Sequence, residues 1–361
     1  MKIALVGTCG ISAAKLGASA AARTTERFLL VALRGRIRNT LPARVGPEKE
    51  RAMNQAPNDA ATELSVVIVS YKCRDLLLEC LGSLDAQRAD VSMEVLLVDN
   101  NSQDGTTEAA ATEYPWVNVE ALSENLGFAR SNNRAIAKCT GRNVLILNPD
   151  TFLPSGSLRA CLDRLASWPD VGVLTPRLVD PEGNLDRRCK RGFPTIWSSF
   201  CYFTGLDRRL KGRRSNAYTM STLGEHEIGD VDSVSGAFML MPKPVLDEVG
   251  GFDEQFFMYA EDIDLCLRVV SHGYRVRYWP LVDVVHVGAG SNAQGRRPAK
   301  ADEAYFRTMA PFIRKHRPGL RGHAYALVVA GAAETMYVGS RLRTKLVRRS
   351  AAAGTDDKRA G

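Results

Sequence analysis

No uncharged apolar run in the 361 residues reaches the ~18 that a membrane-crossing helix needs, so the sequence shows no clear transmembrane segment. Ile3 to Gly7, behind Lys2, is too short an apolar core for a secretory signal, and the N-terminus reads as a poorly ordered extension. The eight cysteines contain no C-x-x-C pair, and no Cys/His cluster has zinc-module spacing. Several of them fall inside apolar stretches and read as buried thiols in a reducing compartment. No G-x-G-x-x-G follows the first strand-like run, which disfavours a dinucleotide-dependent oxidoreductase. No internal repeat is present, which sets repeat architectures aside. Acid is scarce at the start. Up to Arg44, Glu26 stands alone against Lys2, Lys15, Arg23, Arg27, Arg34, Arg36, Arg38 and Arg44.

What is present is an ordinary globular composition, 45% hydrophobic and 24% charged, with a net charge of +8. That excess suits an anionic membrane surface, a phosphate-bearing substrate or nucleic acid. The basic residues lie on appendages and loops without a recognised nucleic-acid module, so nucleic acid is not expected as a partner. Residues 1–62 read as a basic, flexible extension. Within it, 25–38 can form a short amphipathic helix on an anionic membrane or remain a solvated arm. Organised structure begins at Leu64. The runs 64–71 and 94–102 are continuous and β-branched, as strands buried on both faces of a parallel sheet are. Strands are further expected at 117–123, 143–151 and 171–179. Helices are expected after 71 (Leu76, Leu77, Cys80, Leu81 and Leu84 on one side) and over 106–114, 128–139 and 158–168. This alternation argues an α/β, doubly wound parallel sheet. The second half is less regular. Strands are expected at 235–242, 274–280 and 282–288, a loop turning into a helix over 256–273, and a helix over 304–318. The basic clusters of 186–216 read as a long loop over the site.

In doubly wound sheets ligands sit at the carboxyl ends of the strands. The groups found there are Ser70-Tyr71, Asp99-Asn100-Asn101, Glu124-Asn125 and Asn148-Pro149-Asp150. A carboxylate just past a buried strand cannot stay in the core unpaired. One such Asp is readily explained as a helix N-cap. Several converging on one edge are not. Glu261-Asp262, with Asp264, opens a helix after the aromatic loop FFMYA. Asp264 reads as a first-turn residue favouring the helix N-terminus.

The motifs VVIVSYK (66–72), VDNNSQDGT (98–106), ENLGFARSNN (124–133), LNPDT (147–151), SGAFMLMP (235–242), GGFDEQFFMYAEDIDLCLRV (250–269) and VVHVGAGS (284–291) together resemble family-2 glycosyltransferases of the GT-A fold, in particular rhamnosyltransferase-like members. The resemblance implies a Rossmann-like, mostly parallel central sheet flanked by helices, with a helical C-terminal extension. It implies a catalytic domain at 63–292, with a nucleotide-binding half at 63–180 and an acceptor-binding half at 181–292. It also implies an inverting transfer from a nucleotide-diphosphate sugar to a hydroxyl acceptor. dTDP-rhamnose is the first choice of donor. UDP-galactofuranose or a UDP-N-acetylhexosamine would use the same frame, and a non-catalytic sugar-nucleotide binder is the alternative class. By the same resemblance, Ser70, Tyr71, Asp99, Asn125, Gly127 and Asn148 would line the donor pocket. Asp150 and His286 would hold Mg²⁺ or Mn²⁺. Asp262 would be the base, with Glu261 holding acceptor hydroxyls or orienting it. The chemistry independently asks for these types. A divalent cation stabilises the departing diphosphate, and a carboxylate takes the acceptor's proton.

An apolar stretch, Ala324 to Gly339, is broken by Glu334 and followed by Arg341, Arg343, Lys345, Arg348 and Arg349. It reads as an interfacial anchor within a C-terminal helical segment, 293–350, ahead of a disordered tail, 351–361. A polyprenyl-diphosphate-linked or glycan acceptor and a peripheral position on the inner face of the cell membrane fit that reading. The basic loop could meet the acceptor's diphosphate.

Overall fold

LSVVIVS buries all seven of its residues as β1 (Leu64–Ser70), the middle of the nucleotide-binding half of the sheet. The computed structural model describes residues 62–195, 197–198, 201, 206–210, 218–288, 299–317, 319–320, 322–331 and 334–335. The expectations for 1–61 and for 336–361, basic arm, anchor end and tail, lie outside the described residues.

After β1 come α1 (Arg74–Asp85), β2 (Met93–Asp99), α2 (Thr106–Glu113), β3 (Asn118–Ala121), α3 (Gly127–Ile136) and β4 (Asn143–Leu147). Leu77, Cys80, Leu81 and Leu84 of α1 are buried, an i, i+3, i+4, i+7 stripe against the sheet. Next are β5 (Thr151–Phe152), α4 (Ser157–Ala166), β6 (Val171–Val179), β7 (Lys190–Arg191), α5 (Leu206–Arg209), β8 (Gly229–Asp230), β9 (Ser233–Val234) and β10 (Phe238–Pro242). The described elements end with α6 (Lys243–Val249), α7 (Glu261–Ser271), β11 (Arg275–His286) and α8 (Ala299–His316).

The main sheet runs β3-β2-β1-β4-β10-β6-β11-β5, with β8 on β11. β3, β2, β1 and β4 are parallel, as are β6 and β11. β10 is antiparallel to both its neighbours, so the sheet is mostly parallel, as the resemblance implies. The short β10 run follows a loop rather than a crossover helix, so nothing returns the chain to the parallel direction. Two expected strands, 274–280 and 282–288, are one strand with a register shift between Trp279 and Asp283. Buried Arg177 pairs with Asp283 at 2.9 Å at that irregularity. The expected strand 143–151 breaks at Asn148–Asp150. Beyond the break β5 pairs antiparallel with the end of β11, setting His286 opposite Thr151.

Asp264 lies in the first turn of α7, as expected, but it is fully buried and its charge is held by other side chains. Its carboxylate accepts from Arg268 Nε (2.8 Å) and His316 Nε2 (2.7 Å), with Lys315 Nζ at 2.6 Å. Arg268 also reaches the carbonyls of Val249 and Gly251. This node ties α6, α7 and α8 together. Burial pushes the carboxyl up, but the hydrogen bonds from His316 and Lys315 and the charge of Arg268 outweigh it and hold its pKa at about 2. Asp264→Asn is expected to lower stability by about 3 kcal/mol, seen as a melting temperature roughly 6–10 °C lower. A depressed carboxyl contributes its stability above its unfolded pKa of about 3.9 and loses it as pH falls through about 2. The gap between wild type and Asp264→Asn should therefore hold from neutral pH down to about 4 and close below. A gap unchanged at pH 2 would count against an ionic origin.

Candidate active site

The carboxyl edge of β1, β2, β4 and β11 carries most of the expected residues. Ser70 and Asp99 are register partners at the ends of β1 and β2. Asp99 is buried. It accepts from Ser102 N (3.0 Å) and Ser102 Oγ (2.5 Å), closing the turn after β2. It caps no helix, since α2 starts at Thr106 with Gly105 as its N-cap. Tyr71 stands exposed beside it at 44%.

Asn100 does what the motif alone did not reveal. Its Oδ1 accepts from Leu126 N (2.8 Å) and Ser131 Oγ (3.1 Å), and its Nδ2 donates to the Gly127 carbonyl (3.2 Å). A buried amide so used fixes the ENLGF loop against the end of β2. Asn125 closes the same loop by accepting from Gly127 N at 2.9 Å. Gly127 has φ +83, and a Cβ there would sit 2.5 Å from the backbone oxygen of Phe257. Phe128 N donates to that same oxygen at 2.8 Å, and the Phe128 ring meets Phe252 edge-on. Only glycine fits this junction of the expected donor loop with the aromatic loop. Of the aromatic loop, Phe256 is core, while Phe257 is 54% exposed. Arg130 lies 3.6 Å from Glu254 at the surface.

Asp150 and His286 meet. Asp150 Oδ1 is 3.3 Å from His286 Nε2, and Asn148 Nδ2 is 3.3 Å from the same nitrogen. All this is buried. On the far side His286 Nδ1 donates to Asp186 at 2.9 Å, and Arg188 braces Asp186 at 2.9 Å. Burial favours the neutral imidazole, yet the bonds to Asp150 and Asp186 outweigh it and raise the His286 pKa to about 9. Asp186 is held well below the carboxylate range; burial opposes this, and His286 and Arg188 win. Sequence reasoning missed Asp186. It sits in an irregular segment, without a strand to mark it.

Asp262 is buried at the start of α7. Its Oδ2 accepts from Arg191 Nη2 (2.6 Å) and Gly236 N (3.2 Å), and its Oδ1 from Ile263 N (2.8 Å). The next residue, Ala237, accepts from Asn148 N at 3.1 Å. A short bonded path therefore joins Asp262 to Asn148 and so to His286. β10 makes it possible, because an antiparallel strand brings its N-terminal end to the carboxyl edge of its neighbours. Tyr259 and Ala260, both at positive φ (68 and 71), deliver the chain to Glu261. Two non-glycine residues in that region are strain held by their surroundings, as functional loops often hold it. Glu261 is buried and its Oε2 has no hydrogen-bond partner. Burial, then the charge of Asp262, raise its pKa well above the usual range, which favours its protonated form.

The basic cluster is corrected. Arg191 is buried against Asp262, and Lys190 is buried, donating to the Met220 and Leu223 carbonyls. These two form β7 rather than a solvated loop, so they do not reach an acceptor diphosphate. Among the described residues no three His, Cys, Asp or Glu side chains form an all-protein metal cage. Asp150 and His286 offer two adjacent ligand atoms, which fits a cation that takes its remaining ligands from substrate phosphates and water. Five of the seven described cysteines are buried, and all seven are free thiols.

A mostly parallel sheet with acidic groups along its carboxyl rim is the frame of nucleotide-sugar enzymes of the GT-A type. Residues 61–309 match the family described as "Glycosyltransferase like family 2", and the chain belongs to that family; it is a glycosyltransferase. It is 32% identical over 267 residues to the N-acetylglucosaminyl-diphospho-decaprenol L-rhamnosyltransferase of Mycobacterium tuberculosis, covering 71% of this chain and 85% of that one. It is 26% identical to the rhamnosyltransferase WbbL of Escherichia coli, over 63% of this chain and 84% of that one. Among solved structures, a mannosyltransferase from Pyrobaculum calidifontis, in complex with GDP-Man and Mn²⁺, matches at 20% identity with a TM-score of 0.49, covering 85% of this chain and 86% of that one.

Proposed function

We propose that this glycosyltransferase moves L-rhamnose, with inversion, from dTDP-rhamnose to a hydroxyl of a polyprenyl-diphosphate-linked sugar in cell-wall or polysaccharide assembly. The observation that carries the reading is the bonded path Asp262–Gly236–Ala237–Asn148–His286, which puts a candidate base and a candidate phosphate-binding half-site on one rim. The names of the relatives support the sugar and the lipid-linked acceptor.

In this reading Ser70, Tyr71 and Asp99 flank the base and ribose, while Asn125, Gly127 and Asn148 shape the donor pocket. Asp150 and His286 hold Mg²⁺ or Mn²⁺, whose charge steadies the departing diphosphate when bound. Asp186 fixes the ring so that Nε2 faces the site, the usual task of a carboxylate behind a histidine ligand. Asp262 takes the acceptor's proton, its carboxylate oriented by Arg191 and two backbone N–H groups. Glu261, whose surroundings favour the protonated form, suits hydrogen bonding rather than proton abstraction.

No described helix is long and apolar enough to cross a membrane. The helical residues 322–331 expose Leu327 and Val328 at 64% and 61%, which supports attachment at the inner membrane surface through the C-terminal segment. To test the function, the full chain is incubated with N-acetylglucosaminyl-diphospho-polyprenol, Mg²⁺ or Mn²⁺, and in turn dTDP-rhamnose, UDP-galactofuranose and UDP-N-acetylglucosamine. Rhamnosylated lipid with inverted anomeric configuration is expected from the first alone. Product only from a UDP-sugar would replace the donor. Retained configuration would remove the single-displacement mechanism.

A further inference from the structure

An apolar cleft, partly open to solvent, lies beside α7. Its walls include Thr195, Ala260, Ile263, Met309, Ile313 and Val329. Ala260 and Ile263 bracket Glu261 and Asp262, so any occupant lies within a helical turn of the base assigned above. The walls are almost wholly hydrocarbon. A sugar bound there would lose its hydrogen bonds to water without replacement, whereas a hydrocarbon chain loses nothing.

The rim adds charge. Tyr325 also lines the cleft, and the Arg317 guanidinium stacks over its ring at 4.7 Å. Arg317 is half-buried, and among the described residues no carboxylate pairs with it. Burial lowers its pKa. A desolvated cation without a counter-ion is complementary to an anionic group. Leu320, Leu327 and Val328, at i, i+7 and i+8, are exposed at 92%, 64% and 61%. They give the same segment an apolar outer face, through which a chain rooted in a bilayer can reach the cleft.

We propose that this cleft takes the first isoprene units of the acceptor's polyprenyl chain, with Arg317 against its diphosphate. This rests on the reading of a polyprenyl-diphosphate-linked acceptor. The seat holds the lipid beside α7 while the sugar it carries extends to Asp262. Specificity for a lipid-linked acceptor thereby resides in the C-terminal helices, outside the nucleotide half.

The test is calorimetric binding of farnesyl diphosphate and of inorganic diphosphate to the full chain, with dTDP blocking the donor pocket. Farnesyl diphosphate is expected to bind at least tenfold more tightly. Met309→Trp, which fills the cleft, should erase that advantage and leave inorganic diphosphate and dTDP binding unchanged. Val329→Phe serves as a second filling variant. Arg317→Gln should weaken both diphosphates about tenfold. In transfer, Met309→Trp should raise KM for a farnesyl-diphosphate-linked acceptor at least tenfold and spare a methyl-diphosphate-linked one. Equal binding of the two diphosphates by wild type, or an unchanged farnesyl advantage in both filled variants, overturns the proposal. No transfer to either acceptor, with the farnesyl advantage present and erased by Met309→Trp, sinks the functional reading instead and leaves the cleft an isoprenoid site.

Discussion

Asp262→Asn is expected to cut transfer by roughly 10²–10⁴-fold while nucleotide-sugar binding persists. Glu261→Gln is expected to cost no more than several-fold. The contrast follows from the different surroundings of two neighbouring carboxyls. Asp262 is ringed by donors: Arg191, Gly236 N and Ile263 N. Glu261 has an Oε2 without a hydrogen-bond partner among the described residues, and burial, then the charge of Asp262, favour its protonated form. A protonated acid cannot abstract a proton, and glutamine reproduces its shape and most of its hydrogen bonding. Asp262→Asn also strips the counter-charge from buried Arg191, which costs about 3 kcal/mol of stability. Melting temperature and donor affinity are therefore measured beside turnover. A folded, donor-binding Asp262→Asn enzyme with full turnover would remove Asp262 as base. If Glu261→Gln were the dead variant, the two roles would exchange.

The nucleotide half was legible because its signals are local. A run such as LSVVIVS can only be a strand buried on both faces, and the residue after it must lie at the sheet edge. Ser70, Asp99 and Asn148 were placed by that logic alone. The reversal of β10 was not legible, since buried parallel and antiparallel strands read alike as FMLMP. Yet that reversal carries Gly236 to Asp262 and Ala237 to Asn148. Nor could sequence separate the four charges of 187–191. Arg188 supports Asp186 and Arg191 supports Asp262, across 71 residues in the second case. An ion pair between irregular segments leaves no periodic trace. Asp264 misled for the opposite reason. Its position in the first turn had a sufficient local explanation, while its partner His316 lies 52 residues away on another helix, next to Lys315.

Asp150→Ala and His286→Ala are each expected to lower turnover about 10³-fold, and the double variant should be little worse than either. Stabilising the departing diphosphate through a cation contributes several kcal/mol, and about 4 kcal/mol corresponds to three decades. The near-saturation follows from contact. Asp150 Oδ1 and His286 Nε2 lie 3.3 Å apart in a buried site, so removing one leaves half of a two-ligand grip. Residues that act as one unit are not additive. The diagnostic measurement is donor affinity with and without Mn²⁺. Wild type should bind the nucleotide sugar more tightly with the ion, and both single variants should lose that increment. Asp186→Asn should show a milder defect, roughly 10–100-fold in ion affinity, because it only orients the ring. Fully additive losses at 150 and 286, or an ion effect that survives both substitutions, would place the cation elsewhere on the rim. The His286 contact would then be a purely structural tie between β4 and β11.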